Sequence, residues 1–187
     1  AAKKSKFIDE IIVSTDNINT KKFAKKNGAE CPFLRPKKLS LDDVNLRAVQ
    51  KFSLAELEKK KIFPDLIVHL EETYPFRDID IIDNSIRILL KNGYDTVIAA
   101  KEEKGWLWKE NTGGYLRIEE GDIPQKIKKK TYLGLHGICC VTYPEFVRDE
   151  LLIGKHIGLL PVKNHLSALE IRDSKTHKKF KKILKNY

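Results

Sequence analysis

Three polar clusters in this chain carry side chains suited to phosphate, sugar and divalent-cation chemistry. Ser14, Thr15 and Asp16 follow the apolar run Ile11-Ile12-Val13. They offer oxygens for a polar turn that caps a helix, or for a nucleotide pocket. Arg35 stands between Leu34 and Pro36. The proline biases Arg35 toward an extended backbone, which aims a guanidinium at a phosphate or base, or leaves it in a surface ion pair. The third cluster, Glu71, Glu72, Thr73, Tyr74 and Arg77, follows Leu66–Leu70. A carboxylate, a hydroxyl and an arginine at the end of a strand make a polar site, because ligands of open α/β sheets bind at the carboxyl ends of strands. The alternative is a strand-to-helix loop whose polar groups satisfy the backbone.

Weaker candidates lie further along. His136 sits in Leu-Gly-Leu-His-Gly, as a ligand-facing group or a structural hydrogen-bonder. His69 lies inside an apolar strand and reads as a satisfied core histidine. Glu170 and Asp173 are spaced i, i+3 before a terminal helix. Hard oxygen ligands suit Mg²⁺, yet carboxylates at a helix start also complement the dipole. Trp106, Trp108 and Tyr115 suit packing or an interface as well as ligand stacking. Cys31, as a nucleophile, has no activating neighbour in sequence.

The elements that must position these groups follow from periodicity and punctuation. Asp9–Val13 reads as a short strand, followed by a helix to Lys26 that stops at Asn27-Gly28. Glu30–Leu34 is a second extended piece, broken by Pro36. Leu41–Lys60 reads as a helix, with Asp42 and Asp43 at its start and Leu46, Val49, Ser53 and Leu57 on one face. Leu66–Leu70 is a buried strand, and Asp78 caps a helix with Ile79, Ile82, Ile86, Leu89 and Leu90 on its inner stripe, ended by Gly93. Thr96–Ala100 is the next strand. Lys101–Lys130 is charged and glycine-containing and predicts short hairpins that leave the core. Tyr132–Thr142 is a strand region, and Thr176–Lys185 a closing helix. Strand–helix–strand units imply an α/β, Rossmann-like, mainly parallel sheet with right-handed crossovers.

Composition narrows the classes. A chain of 187 residues, 41% hydrophobic, is expected to form one globular domain over 1–187. No apolar run approaches the roughly 20 residues of a membrane span, and residues 1–6 lack a signal-peptide core. The net charge of +10 suits anionic ligands. It is concentrated in Lys126, Lys128, Lys129 and Lys130 and in a terminal helix face, and reads equally as a solvated surface. No stacking pattern or zinc-finger spacing supports a nucleic-acid module. Cys31, Cys139 and Cys140 form no C-x-x-C pair and read as reduced, packed thiols in a cytoplasmic protein.

Taken together, the phrases resemble the acylneuraminate cytidylyltransferases, the CMP-sialic acid synthetase family, from its second strand onward. Ile11–Asp16 resembles the family's V-V-S-T-D. Gly28-Ala29-Glu30 and Pro32–Pro36 resemble its G-A-E-x-P-F-x-R-P, the most specific match. Lys38–Asp42 falls on the L-A-x-D segment, and Leu70–Arg77 takes the place of L-Q-P-T-S-P-L-R. Gln125 falls at the glutamine of the R-Q segment, His136-Gly137 at the N-G before a strand, and Ser167–Asp173 where the family has S-I-D-I-D. The family's opening A-R-x-G-S-K-G loop has no counterpart, and the first residues read as the end of a helix begun upstream, so a shortened chain is expected. Glu71 and Tyr74 replace an amide and a serine, and Glu170-Ile171-Arg172-Asp173 replaces the D-x-D.

The resemblance implies a nucleotidyltransferase. A hydroxyl of an acidic, nonulosonic-type sugar attacks the α-phosphate of CTP, with Mg²⁺ as cofactor, for surface glycan synthesis. It implies catalytic roles for Arg35 and Arg77. Ser14, Thr15, Asp16, Arg35, Glu71 and Thr73 would meet the nucleotide, Gln125 and His136 the sugar, and Glu170 and Asp173 the metal. A homodimer built through 101–142 is implied as well. The rival readings are a transferase for another sugar and a catalytically silent relative acting as a dimeric module.

Overall fold

A five-stranded mixed sheet carries the structure, a computed structural model that describes residues 1–118, 124, 127 and 129–186. Its strands are β1 (Ile67–His69), β2 (Thr96–Glu103), β5 (Thr131–Gly134), β6 (Cys140–Thr142) and β7 (Ile157–Pro161); a separate hairpin holds β3 (Trp108–Asn111) and β4 (Gly114–Arg117). The helices are α1 (Ile18–Lys26), α2 (Leu46–Lys59), α3 (Ile81–Asn92), α4 (Pro144–Arg148) and α5 (Ser174–Asn186).

The unit β1–α3–β2 is the expected crossover. The apolar residues of α3 recur three to four positions apart along one face, where Ile82, Ile86 and Leu89 are buried together with Ile81. They pack with Val97, Ala99, Ile138, Cys139, Val141 and Tyr74. Ile82 and Leu89 are completely buried, each stabilising the fold by about 1.5–3 kcal/mol relative to exposure. Gly93, at φ 64°, closes α3 in the left-handed conformation that glycine takes without strain.

The expectation of a mainly parallel, Rossmann-like sheet is corrected. β1 and β2 run the same way but do not pair. β6 lies between them, antiparallel to both, with His69 opposite Cys140 and Ile98 opposite Cys140 on its two sides. β5 pairs antiparallel with the carboxyl half of β2, and β7 pairs parallel with it. β5 and β6 are two short strands along the same edge of β2, interrupted by a turn in which Ile138 N–H donates to Leu135 C=O at 3.0 Å. A short return is enough for antiparallel neighbours, whereas parallel ones need a long crossover.

Other expectations shift by a few residues. Asp9–Val13 forms a single parallel bridge, Ile12 to Glu30, rather than a strand. α2 starts at Leu46 with Asn45 as cap, so Asp42 and Asp43 lie before it. α3 starts after Asp80 rather than at Asp78. The strand Ile67–His69 is half-buried rather than buried. Within Lys101–Lys130 the β3–β4 hairpin stands outside the main sheet, which the segment enters only through the end of β2, while β5 and β6 follow it and belong to the sheet.

Candidate functional site

The site grows from the sheet's register. Because β6 runs antiparallel to β1, the residues just past the end of β1 meet the residues just before β6. Glu71 N–H donates to Gly137 C=O at 2.7 Å. His69 and Glu71 are two apart on an extended segment, so their side chains leave the same face. His136, in the turn ahead of β6, completes the group: its Nε2 lies 3.1 Å from Glu71 Oε1. His69 Nε2 lies 3.5 Å from the same oxygen. The two imidazoles are nearly parallel, 16° apart with centroids at 5.9 Å.

His69 is not the satisfied core histidine expected. Its Nε2 is buried and makes no hydrogen bond of normal geometry. Burial pushes its pKa down, and the neighbouring Glu71 carboxylate only partly opposes this. The neutral imidazole is therefore the favoured form.

Arg77 braces the loop. Its Nη2 donates to Glu71 C=O at 2.6 Å and Gly137 C=O at 2.9 Å, and its Nε donates to Ile138 C=O. Burial lowers its pKa from the ordinary arginine value, with no consequence for its charge near neutral pH. With those donors on main-chain carbonyls, Arg77 holds the 71–77 loop against the 135–139 turn.

A third segment closes the site. Ser167 Oγ donates to Phe76 C=O at 2.9 Å, and Ile171 N–H donates to Thr73 C=O at 2.8 Å. Glu170 is thereby set beside Thr73, whose hydroxyl lies 3.3 Å from Glu170 Oε1 and 3.5 Å from Glu71 Oε2. Arg172 Nε donates to Glu170 Oε1 at 2.6 Å, and the carboxylate raises the guanidinium's pKa. Burial and Glu170 raise the pKa of Tyr74. Asp173 Oδ1 instead accepts from Thr176 N at 2.6 Å and from the Thr176 hydroxyl at 2.7 Å, at the start of α5.

The amino-terminal candidates form a separate group. Arg35 N–H donates to Thr15 C=O at 2.8 Å, joining two of the sequence phrases. Arg35 Nε donates to Ser40 Oγ at 2.9 Å. The Ser53 hydroxyl donates to Ser14 Oγ at 3.0 Å, buried Thr15 Oγ1 accepts from Asn17 N, and Asp16 is exposed. The cap of α1 is Asn17, whose Oδ1 accepts from Asn19 N and Thr20 N. Gln125 lies outside the described residues.

Sequence reasoning named His69, Gly137 and Arg172 but gave none of them a part in building the site. The i, i+2 spacing of His69 and Glu71 was the available signal for the first. Gly137 matters because a Cβ there would lie 2.7 Å from Glu71 Oε2 and from Tyr74 Cε2. Only a residue without a side chain permits this approach.

Comparison with known proteins gives the same direction. The sequence model of the cytidylyltransferase family matches residues 1–113. A pseudaminic acid cytidylyltransferase from Campylobacter jejuni subsp. jejuni serotype O:2 is 28% identical over 121 residues, 62% of this chain and 52% of the relative. The chain thus spans about half the length of that relative. Among solved structures, 4-diphosphocytidyl-2C-methyl-D-erythritol synthase from Anaerococcus prevotii superposes with a TM-score of 0.68 at 13% identity. The superposition covers 96% of this chain and 80% of that one, a likeness of fold.

Proposed function

The chain belongs to the cytidylyltransferase family, and we propose that it transfers CMP from CTP to an acidic sugar of the nonulosonic class. A sugar hydroxyl attacks the α-phosphorus, a new P–O bond forms, and pyrophosphate leaves with the electrons of the broken one. The observation that carries this reading is the family match over 1–113, which contains both the Arg35 segment and Glu71–Arg77. The similarity to a pseudaminic acid cytidylyltransferase supports the sugar class.

Such transfer rests on positioning and on neutralising phosphate charge. In this reading Arg35 holds phosphate beside Thr15, with Ser14 and Asp16 lining the same turn. Glu71 and Thr73 meet the ribose or base, while His136 and Gln125 face the acceptor sugar. Arg77 acts through Glu71 as a positioning residue.

Magnesium is expected with the triphosphate, but Glu170 and Asp173 do not offer it a ready pair. Arg172 already holds Glu170, and Asp173 is engaged with Thr176 at the start of α5. No step is routed through them. We further infer a homodimer through the β3–β4 hairpin, where Trp106, Trp108 and Tyr115 are 62%, 53% and 75% exposed. Burying such aromatics is a strong drive to association. No helix among the described residues is long and apolar enough to cross a membrane, and we assign the reaction to the cytoplasm, where CTP is made.

The test is pyrophosphate release from CTP and Mg²⁺ with pseudaminic or N-acetylneuraminic acid as acceptor, against ATP, GTP and UTP. Acceptor-dependent release with CTP supports the transferase. CTP binding without release with either acceptor leaves a transferase for another sugar and the silent relative, and the Arg172–Glu170 pair lends weight to the latter. Absence of CTP binding refutes transfer by this chain and leaves the silent relative.

A further inference from the structure

We propose that His69, Glu71 and His136 bind one divalent transition-metal ion of the zinc class. Their ligand atoms all lie within 4.8 Å of one another. Two imidazole nitrogens and one carboxylate oxygen are the donors that zinc and its first-row neighbours favour, whereas Mg²⁺ takes oxygen ligands. This site is therefore different in kind from a magnesium site on Glu170 and Asp173.

Distances fit. With bonds of about 2.05 Å, neighbouring ligands of a tetrahedral ion stand roughly 3.3 Å apart. The two nitrogen-to-Oε1 distances, 3.1 and 3.5 Å, bracket that value. Three protein ligands leave a fourth position open, as in zinc sites that bind water or substrate.

The contacts within the group favour a shared cation. His69 Nε2 is buried and lacks a hydrogen-bond partner, a state that costs about 1–3 kcal/mol when nothing compensates it. One carboxylate oxygen faces both nitrogens, so a proton on His136 serves only one of the two contacts. A dication serves all three atoms at once. The surroundings hold the donors in place: Arg77 fixes the Glu71 and Gly137 carbonyls, and Gly137 leaves room for the Glu71 carboxylate. The Arg77 guanidinium is a nearby positive charge, but it points its donors at main-chain oxygens.

The metal would sit on Glu71 and His136, which the transferase reading turns toward nucleotide and sugar, and its test stands apart because metal binding is read on the chain without CTP. Metal-stripped chain is titrated with Co²⁺ and followed by visible absorption, then challenged with Zn²⁺, with Mg²⁺ alone as a control. The expected result is one Co²⁺ per chain with the intense bands of low coordination number, displaced by Zn²⁺ and not by Mg²⁺. His136→Ala and Glu71→Gln should each weaken binding by roughly 10–100-fold or more, at least what losing an outer-shell partner costs. His136 is 41% exposed and Glu71→Gln is isosteric, so neither change threatens the fold. Absence of Co²⁺ bands in the unsubstituted chain overturns the proposal. Binding undiminished in both variants places the ion on surface histidines and also overturns it. Loss in one variant alone overturns the three-ligand assignment.

Discussion

Gly137→Ala tests the described packing of the site. The added methyl would sit 2.7 Å from Glu71 Cδ and Oε2 and from Tyr74 Cε2. That is about 0.8 Å inside the usual carbon contact distance of roughly 3.5 Å. Gly137 is outside the left-handed region, so the substitution adds no backbone strain to confuse the result. The Tyr74 ring is only 6% exposed and cannot swing away cheaply. The Glu71 carboxylate is the freer group and should give way, breaking its 3.1 Å contact with His136. Overpacking of this sort costs about 1–3 kcal/mol of stability. A displacement near 1 Å in a reacting constellation costs on the order of 100-fold in rate. Urea denaturation gives the first number, and kcat/KM for CTP-dependent pyrophosphate release gives the second. Gly134→Ala is the control, because its methyl would meet only Ile98 Cγ2 at 3.9 Å. Stability within about 0.5 kcal/mol of the parent, with kcat/KM unchanged, would refute the close approach of the turn to Glu71.

Three other perturbations read different parts of the structure. Thr96→Val removes a buried hydroxyl that accepts from Gly154 N at 2.9 Å and shares a hydrogen bond with Thr142 Oγ1. The orphaned partners should cost about 1–3 kcal/mol in urea denaturation, and a loss under 0.5 kcal/mol would contradict the network. Asp95 accepts from His156 N at 2.8 Å and Lys155 N at 2.9 Å, and the His156 bond is the main cause of its lowered pKa. A carboxylate with a folded pKa below its unfolded value stabilises above the unfolded pKa, about 3.9. That contribution is lost as pH falls through the folded value. Asp95→Asn should therefore flatten the acid limb of a stability–pH curve, and an unchanged limb would count against the bonds. Burial pushes the Cys139 thiol up to about 11 and the Cys140 thiol up to about 12. Both should resist a thiol reagent at pH 8 in the native chain and react on unfolding, and rapid native labelling of either would show that this core is open.

The sequence carried the local elements well where periodicity was strong. The apolar stripe of α3 and its closing Gly93 are written in Ile82, Ile86 and Leu89 and in glycine's tolerance of positive φ. β7 was not legible, because Gly158 and Pro161 interrupt it. The structure supplies the reason for the glycine: a Cβ at 158 would lie 2.5 Å from the Tyr94 ring. Pairing order was not legible either. A run such as Cys140–Thr142 announces a strand but not which neighbours it joins, and the long-range contacts that decide this leave no local mark. Thus Glu71, Thr73, His136 and Glu170 could be singled out one at a time. Their convergence, and the part played by His69, depended on where β6 inserts.

That insertion is what makes the site. Had β1 and β2 paired directly, the loop after β1 would face the carboxyl end of β2 and nothing that returns toward it. With β6 between them, the 135–139 turn is delivered to the end of β1 and hydrogen-bonded there through Glu71 N and Arg77. The turn brings His136, and the lack of a side chain at Gly137 lets Glu71 reach it. The segment 167–171 is then tied alongside through Phe76 and Thr73, which sets Glu170 beside the Thr73 hydroxyl. Each tie ends on a main-chain carbonyl, so the position of the polar cluster is set by hydrogen bonds to the backbone rather than by the attractions among its own side chains. Substituting one of those side chains should change what the site binds while leaving its frame in place. Breaking a main-chain tie, as Arg77→Ala would, should disperse the whole group at once.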